Sequence, residues 1–299
     1  MLSIPERAAQ IIDTQEQQLD EINSRTIFLA GSKNVGKSTL LHMFLEKLET
    51  PRNTLVLEYS FGRKTNLKQA IDKNVCHIWE YGGKLDMLKN VLPVLPKTKN
   101  YYYCIMVDLS KPKTLLQTIE ICVHAMNETQ SISDNCVTNL IILCGKYDLF
   151  KNFDTEAKKI VCSTLRSVAL LNGAHLMFYS SKESMLVKRA KDIFSSIGFE
   201  NGISIKDKQT NPTKPLFINK GADTWENIGV ARSTFDEIKQ RYYSKIPLDS
   251  SGDVTTVKTG LKKTHPEADI DKLIALKYDE LREMETLEID IMSIVDYLC

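Results

Sequence analysis

Apolar positions along the 299-residue chain fall into short continuous runs separated by stretches of helical spacing. Residues 26–30, 54–61, 75–80, 101–109, 139–144 and 174–179 read as strands, each short and bounded by turn-forming residues. Helical periodicity fills most of the gaps: Leu40, Leu41, Phe44, Leu45 and Leu48 after the first run, then residues 114–127 and 155–171, and 184–197 after the last run. This alternation predicts an α/β fold over residues 24–198, with a mostly parallel sheet and helices on both faces. Ahead of it, Ala8, Ile11, Ile12, Leu19 and Ile22 predict a lead-in helix within residues 1–23, with Pro5 in its first turn.

Beyond Gly198 the pattern loosens. Residues 201–215 and 247–266 are polar and aperiodic, so 199–266 reads as linkers or draped loops around a short strand, Leu216-Phe217-Ile218, and a helix at 234–243. From 267 to 299, Ile270, Leu273, Leu281, Met284, Ile291, Val295 and Leu298 predict a C-terminal amphipathic helix, its stripe interrupted by Lys277. Packing back on the domain explains the first part of that stripe. Residues 287–298 carry enough apolar surface to need a partner, in cis or in trans.

Chemistry enters at the first strand-to-helix junction. Gly31-Ser32-Lys33-Asn34-Val35-Gly36-Lys37-Ser38 is a complete G-x-x-x-x-G-K-S loop. Its glycines let the backbone wrap closely enough for N–H groups to cradle a diphosphate, Lys37 supplies a charge to the β and γ phosphates, and the Ser38 hydroxyl can ligate Mg²⁺. Gly31, Asn34, Gly36, Lys37, Ser38 and Thr39 are the expected phosphate-binding residues, and the expected ligand is GDP or GTP with Mg²⁺, with an empty relic pocket as the alternative. The fold prediction sharpens to a Ras-like P-loop domain, doubly wound, with its ligand beyond the carboxyl ends of the strands.

Charge and cysteine usage narrow the partners. With 39 basic and 38 acidic residues the net charge is +1, which gives no general attraction to nucleic acid or to an anionic membrane. Protein partners are the expectation. No apolar stretch approaches the roughly 20 residues of a membrane helix, and residues 1–20 lack a signal-peptide core, so a cytoplasmic protein is expected. Seven cysteines without a C-x-x-C pair, several inside apolar runs, read as reduced buried thiols rather than disulfides or zinc ligands, and Cys299 forms no prenylation box.

A working GTPase needs further elements, and here each is altered. Trp79-Glu80-Tyr81-Gly82-Gly83 matches a D-x-x-G element with Glu80 for the Asp, one methylene longer and expected to crowd a metal held through water. Lys84 stands where Ras-type enzymes carry the water-orienting Gln. Between the P-loop helix and the next strand only Glu49 to Asn53 remain, too few for a long switch loop; Thr50 and Thr54 are the only nearby hydroxyls for Mg²⁺. Gly145-Lys146-Tyr147-Asp148 resembles N-K-x-D with Gly145 for the Asn, so Lys146 and Asp148 are candidate guanine-side residues, and Ser180-Ser181-Lys182 sits where S-A-K-type loops touch the base. An ordinary charged turn is the competing reading of 145–148. The elements together predict a GTPase-like scaffold whose diphosphate pocket survives while its hydrolytic apparatus is damaged.

Thr54-Leu55-Val56-Leu57-Glu58-Tyr59-Ser60-Phe61-Gly62-Arg63-Lys64 has no meaning from composition or spacing, but it resembles the L-E-Y-x-F-G-R signature of dynein light intermediate chains. The resemblance continues through Trp79 to Gly83, Gly145 to Phe150 and Lys214-Pro215-Leu216-Phe217-Ile218, over about residues 24–220, and within the family it is strongest to the branch serving cytoplasmic dynein 2. It implies a non-catalytic motor subunit whose Ras-like domain packs on the dynein 2 heavy-chain tail beside other dynein 2 subunits. It further implies a role in retrograde intraflagellar transport and cilium formation, contact with microtubules only indirectly, and residence in the cytoplasm, cilium, basal body and axoneme. Adaptor binding by a long C-terminal region, implied for the other cytoplasmic dynein, is not expected here. The alternatives are a regulatory GTP-binding switch with slow hydrolysis, whose switch loop and water-positioning residue are missing, and an ATP-using P-loop kinase, for which Arg63 and Lys64 would have to serve the phosphates.

Overall fold

The computed structural model describes residues 24–65, 73–96, 98, 100–130, 137–200, 202–203, 208–246, 273–274 and 276–280. The predicted lead-in helix and residues 287–298 lie outside them. Contacts divide the chain into one compact unit ending at Asp249 and a second beginning at Ser250, whose described residues, 273–274 and 276–280, are helical.

The first unit is built on a seven-stranded sheet of order β2-β3-β1-β4-β5-β6-β7. Its strands are β1 (Ser24–Gly31), β2 (Leu57–Thr65), β3 (Lys73–Tyr81), β4 (Asn100–Asp108), β5 (Val137–Gly145), β6 (His175–Phe178) and β7 (Phe217–Ile218). The five inner strands run parallel, whereas the edge strands β2 and β7 are antiparallel to β3 and β6. Buried on both faces, β1 and β4 read as near-continuous apolar runs, as a central parallel strand must.

The helices are α1 (Lys37–Phe44), α2 (Leu88–Val91), α3 (Pro112–Gln130), α4 (Tyr147–Phe150), α5 (Thr155–Leu171), α6 (Ser184–Phe199), α7 (Trp225–Ile228) and α8 (Phe235–Lys245). On one sheet face Phe28, Tyr103 and Ile105 meet Leu116 of α3, Leu165 of α5 and Tyr242 of α8, with the Phe28 and Tyr103 rings stacked at 5.5 Å. On the other, Ile27, Leu29, Ile78 and Cys104 meet Leu40 and Phe44 of α1 and Ile193 and Phe194 of α6. Local chemistry sets the helix starts: the Asp154 carboxylate accepts from the Glu156 N–H to cap α5, and Thr234 with Glu237 forms a reciprocal capping box for α8.

One expectation shifts and one is extended. The strand predicted at 54–61 runs instead from Leu57 to Thr65, because pairing with β3 through Arg63 and Lys64, not apolar content, defines it. The short strand expected at Leu216 to Ile218 is present as β7, and what the sequence did not show is its place: it pairs antiparallel with β6 at the sheet edge, with Leu216 and Ile218 buried. Cys76, Cys104, Cys122, Cys144 and Cys162 are free and buried, and desolvation pushes the Cys76 thiol up to about 12, which makes it inert. Cys136 and Cys299 lie outside the described residues.

Candidate functional site: the phosphate loop and its surroundings

β1 delivers the loop at the carboxyl end of the sheet, and the backbone there requires glycine. At Gly31 φ is 135°, and a Cβ would stand 1.9 Å from the Met106 carbonyl oxygen of β4. The Ser32 N–H donates to that same carbonyl at 2.8 Å, locking the loop to the neighbouring strand. Asn34 and Gly36 take left-handed conformations, with φ of 57° and 104°, and α1 then begins at Lys37.

Lys37 is buried, and its Nζ donates to the Ser32 carbonyl at 3.1 Å, the curl that holds a P-loop lysine over the phosphate position. Burial lowers its pKa, opposed by the charge of Glu80. The Ser38 hydroxyl donates to Glu80 Oε1 at 2.7 Å, and Glu80 is itself 5% exposed at the end of β3. Burial holds the Glu80 carboxyl above its ordinary value, only partly opposed by the hydrogen bond from Ser38, the charge of Lys37 and a hydrogen bond with Thr54. The longer side chain of Glu80 therefore touches Ser38 directly. Because Ser38 gives its proton to Glu80, its oxygen lone pairs remain available, so the two residues fit Mg²⁺ shared with a diphosphate.

These groups line a cavity of about 520 Å³ that includes Asn34, Gly36, Lys37, Ser38 and Thr39, closed on its far side by residues 51–55. That segment is fixed to the turn after β3. The Gly82 N–H donates to the Val56 carbonyl at 2.9 Å, and a Cβ on Gly82 would lie 1.9 Å from the Thr54 carbonyl oxygen. On the other side of the turn, the buried Tyr81 hydroxyl donates to the Lys84 carbonyl at 2.6 Å. The connection from α1 to β2 spans residues 45–56, longer than the Glu49 to Asn53 expected from the sequence, because α1 ends at Phe44 and β2 begins only at Leu57; the turn after β3, by contrast, is pinned.

The predicted base-side residues follow β5. A Cβ at Gly145 would lie 2.8 Å from Val35 Cγ2 and 3.1 Å from the Val35 carbonyl oxygen, so Val35 of the loop fills the space an asparagine would need. Asp148 accepts from the Ser180 hydroxyl at 2.9 Å and pairs with Lys182 at 3.0 Å. Burial pushes its carboxyl up, but those hydrogen bonds outweigh burial and hold it below its ordinary value. Lys146, with φ of 60°, pairs with Asp108 Oδ2 at 2.6 Å. Neither Lys146 nor Asp148 lines the phosphate cavity.

Asp108 escapes the sequence reading. It ends β4, is 1% exposed, and accepts from the Ser110 N–H and hydroxyl at 2.9 and 2.5 Å besides Lys146. Its own N–H donates to the Ser32 hydroxyl at 3.3 Å, so it ties the phosphate loop to the 145–148 turn. The available signal is an acid closing an apolar strand next to the P-loop strand.

No protein-family model matches the sequence. Among curated proteins, cytoplasmic dynein 2 light intermediate chain 1 of Bos taurus is 31% identical, over 88% of this chain and 88% of its own length. The Danio rerio protein of that name is 29% identical over 90% and 87%, and the Homo sapiens one 32% over 70% and 69%. A solved structure described as the conserved domain of a dynein light intermediate chain covers 77% of this chain and 93% of its own, with a TM-score of 0.49 and 16% identity.

Proposed function

The chain belongs to the dynein light intermediate chain family, and from that premise we propose that it is a non-catalytic subunit of cytoplasmic dynein 2. It docks on the heavy-chain tail beside other dynein 2 subunits and supports retrograde intraflagellar transport and cilium formation. It reaches microtubules only through the motor, and works in the cytoplasm and cilium.

The observation that carries this reading is an exposed aromatic face on the β2–β3 hairpin. Tyr59 and Phe61 are 44% and 53% exposed. Tyr59 stacks on Phe61 and His77 and packs on Trp79 at 4.8 Å, its hydroxyl bonded to His77 Nδ1, while Arg63 lies over the Phe61 ring. Rings and an arginine gathered on one rigid surface are the composition of an interface hot spot, not of a solvated strand.

The phosphate loop serves that role as a structural nucleotide site holding GDP or GTP with Mg²⁺. Mg²⁺, when bound, would neutralise diphosphate charge between Ser38 and Glu80, and Lys37 would hold the phosphates in place. Lys84 carries no acceptor to orient an attacking water, and the pinned turn at Gly82 to Lys84 leaves little to switch, so hydrolysis is not the function.

Binding of the purified chain to the heavy-chain tail tests the first part. Tyr59→Thr with Phe61→Thr, which keep strand propensity, should weaken it at least about tenfold; unchanged affinity, or no binding by the unaltered chain, sinks the reading. Nucleotide released on denaturation tests the second. Stoichiometric GDP supports a retained structural ligand, whereas an empty pocket in folded protein makes the loop a relic.

A further inference from the structure

β2 ends the sheet, paired with β3 on one side and with no strand on the other among the described residues. Its side chains alternate between two faces. Tyr59, Phe61 and Arg63 share one, with the two rings stacked and the guanidinium over Phe61. Glu58, Ser60, Gly62 and Lys64 share the other, which turns toward the ends of α1 and α6. There Lys47 donates to the Ser60 hydroxyl, Gly62 lies beside Leu45 and Phe199, and Lys64 reaches Glu200 at 3.3 Å.

A long open edge needs either a device that repels strands or one that selects among them. β2 has no proline, and its bases are not spread along it: Arg63 and Lys64 sit at one end, the acid Glu58 at the other, and Tyr59 to Gly62 between them are uncharged. Glu58 also stands opposite Glu80 in the β2–β3 register, a juxtaposition of like groups that costs stability. Among the described residues Glu58 accepts a hydrogen bond from Thr54 at 3.1 Å but has no cation beside it.

This pattern is complementary to itself. When two β2 strands run antiparallel about a two-fold axis at Phe61, Glu58 of each copy stands across from Lys64 of the other, Tyr59 from Arg63, and the two Phe61 rings face each other. Moving the axis to Ser60 leaves Glu58 across from Gly62 and Lys64 across from Val56, so the charges select one register. A parallel, in-register pairing sets like charges side by side. We propose that β2 is a self-recognition edge, through which a second copy of this chain joins β2 to β2, antiparallel about Phe61, into one sheet continuous across both copies. The proposal goes beyond tail binding and does not depend on it, because the junction is made by the strand's backbone edge and the Glu58–Lys64 pairs while the rings of both copies stay together on one open face.

Sedimentation velocity of the purified full chain over a concentration series tests this. A reversible monomer–dimer equilibrium is expected, since a nine-residue strand pairing is a small interface. Glu58→Lys sets lysine across from lysine and should weaken the dimer at least about tenfold, as should Lys64→Glu, which sets acid across from acid. Both exchanges in one chain should restore it, and an equimolar mixture of the two single variants should dimerise although neither does alone; their melting temperatures, close to that of the unaltered chain, show that they are folded. A chain that stays monomeric up to its solubility limit overturns the proposal, as does a dimer indifferent to both charge reversals. It is equally overturned if amide exchange over residues 57–65 slows only when the heavy-chain tail is added, which gives the edge to a foreign strand. The first two results leave tail binding by the rings intact, and the third supports it.

Discussion

At one edge of the sheet β7 is two residues long and is followed by a segment tied down by buried polar contacts; at the other, β2 runs nine residues and displays rings to solvent. At the β7 edge, Arg166 of α5 forms a forked pair with Asp223 at 2.7 and 2.9 Å and also donates to the Asn227 carbonyl. Lys208 approaches the same carboxylate at 3.4 Å; nearer the middle of the sheet, the Tyr242 hydroxyl donates to the Pro112 carbonyl at the start of α3 at 2.6 Å. The chain satisfies this edge by itself. The β2 edge is the reverse, a long strand with no partner on its outer side among the described residues, of the kind that recruits a neighbour. On the proposed reading folding and assembly are separated in space, and substitutions should separate them too.

The largest expected effect falls at the closed edge. Arg166→Ala strands a nearly buried carboxylate with only Lys208 nearby, and should cost about 3 kcal/mol of stability, readable as a fall of roughly 6–12 °C in melting temperature. Titration should reach the same contact. Burial raises the Asp223 carboxyl, but the hydrogen bond and charge of Arg166 outweigh burial and hold it below its ordinary value. A lowered folded-state pKa contributes stability that is present above the unfolded value of about 3.9 and is lost as pH falls through the folded value. Denaturation midpoints between pH 6 and pH 3 should therefore drop less in Asp223→Asn than in the unaltered chain, and equal drops would exclude Asp223 as a source of acid sensitivity.

Tyr242→Phe should cost less, about 1 kcal/mol, since one hydroxyl donor is lost from a ring that keeps its packing. At the open edge, Tyr59→Thr with Phe61→Thr should change stability by only about 0.5 kcal/mol while abolishing most tail binding. A large loss of stability there would mean that the rings hold the hairpin together, and the contrast between the edges would fail. Lys37→Ala should be the mildest for assembly: nucleotide retention falls, and heavy-chain binding stays within twofold if the ligand only occupies the loop.

The sequence carried the inner strands because a central parallel strand is apolar on both faces, and α5 was legible from Thr155 to Leu171 because its amphipathic pattern is intact. The edge strands were less legible for the converse reason. β2 ends in Gly62, Arg63, Lys64 and Thr65, residues selected by pairing with β3 and not by burial, and the antiparallel sense of β7 has no signature in two residues. At the site, the loop was readable because phosphate chemistry dictates spacing. Asp108 was not, since one acid at a strand end looks like any other until Ser32 and Lys146 are seen around it. The Arg166–Asp223 pair joins residues 57 apart, which no local pattern records.

The contact between Val35 and Gly145 couples the two ends of the site. An asparagine placed at 145 would press its Cβ against Val35 and the end of Met106, so the phosphate loop would have to give way before a guanine-reading side chain could sit there. The two turns therefore behave as one unit under substitution: a side chain added to the 145–148 turn is felt first in the phosphate loop, and opening space at Val35 is felt in the turn.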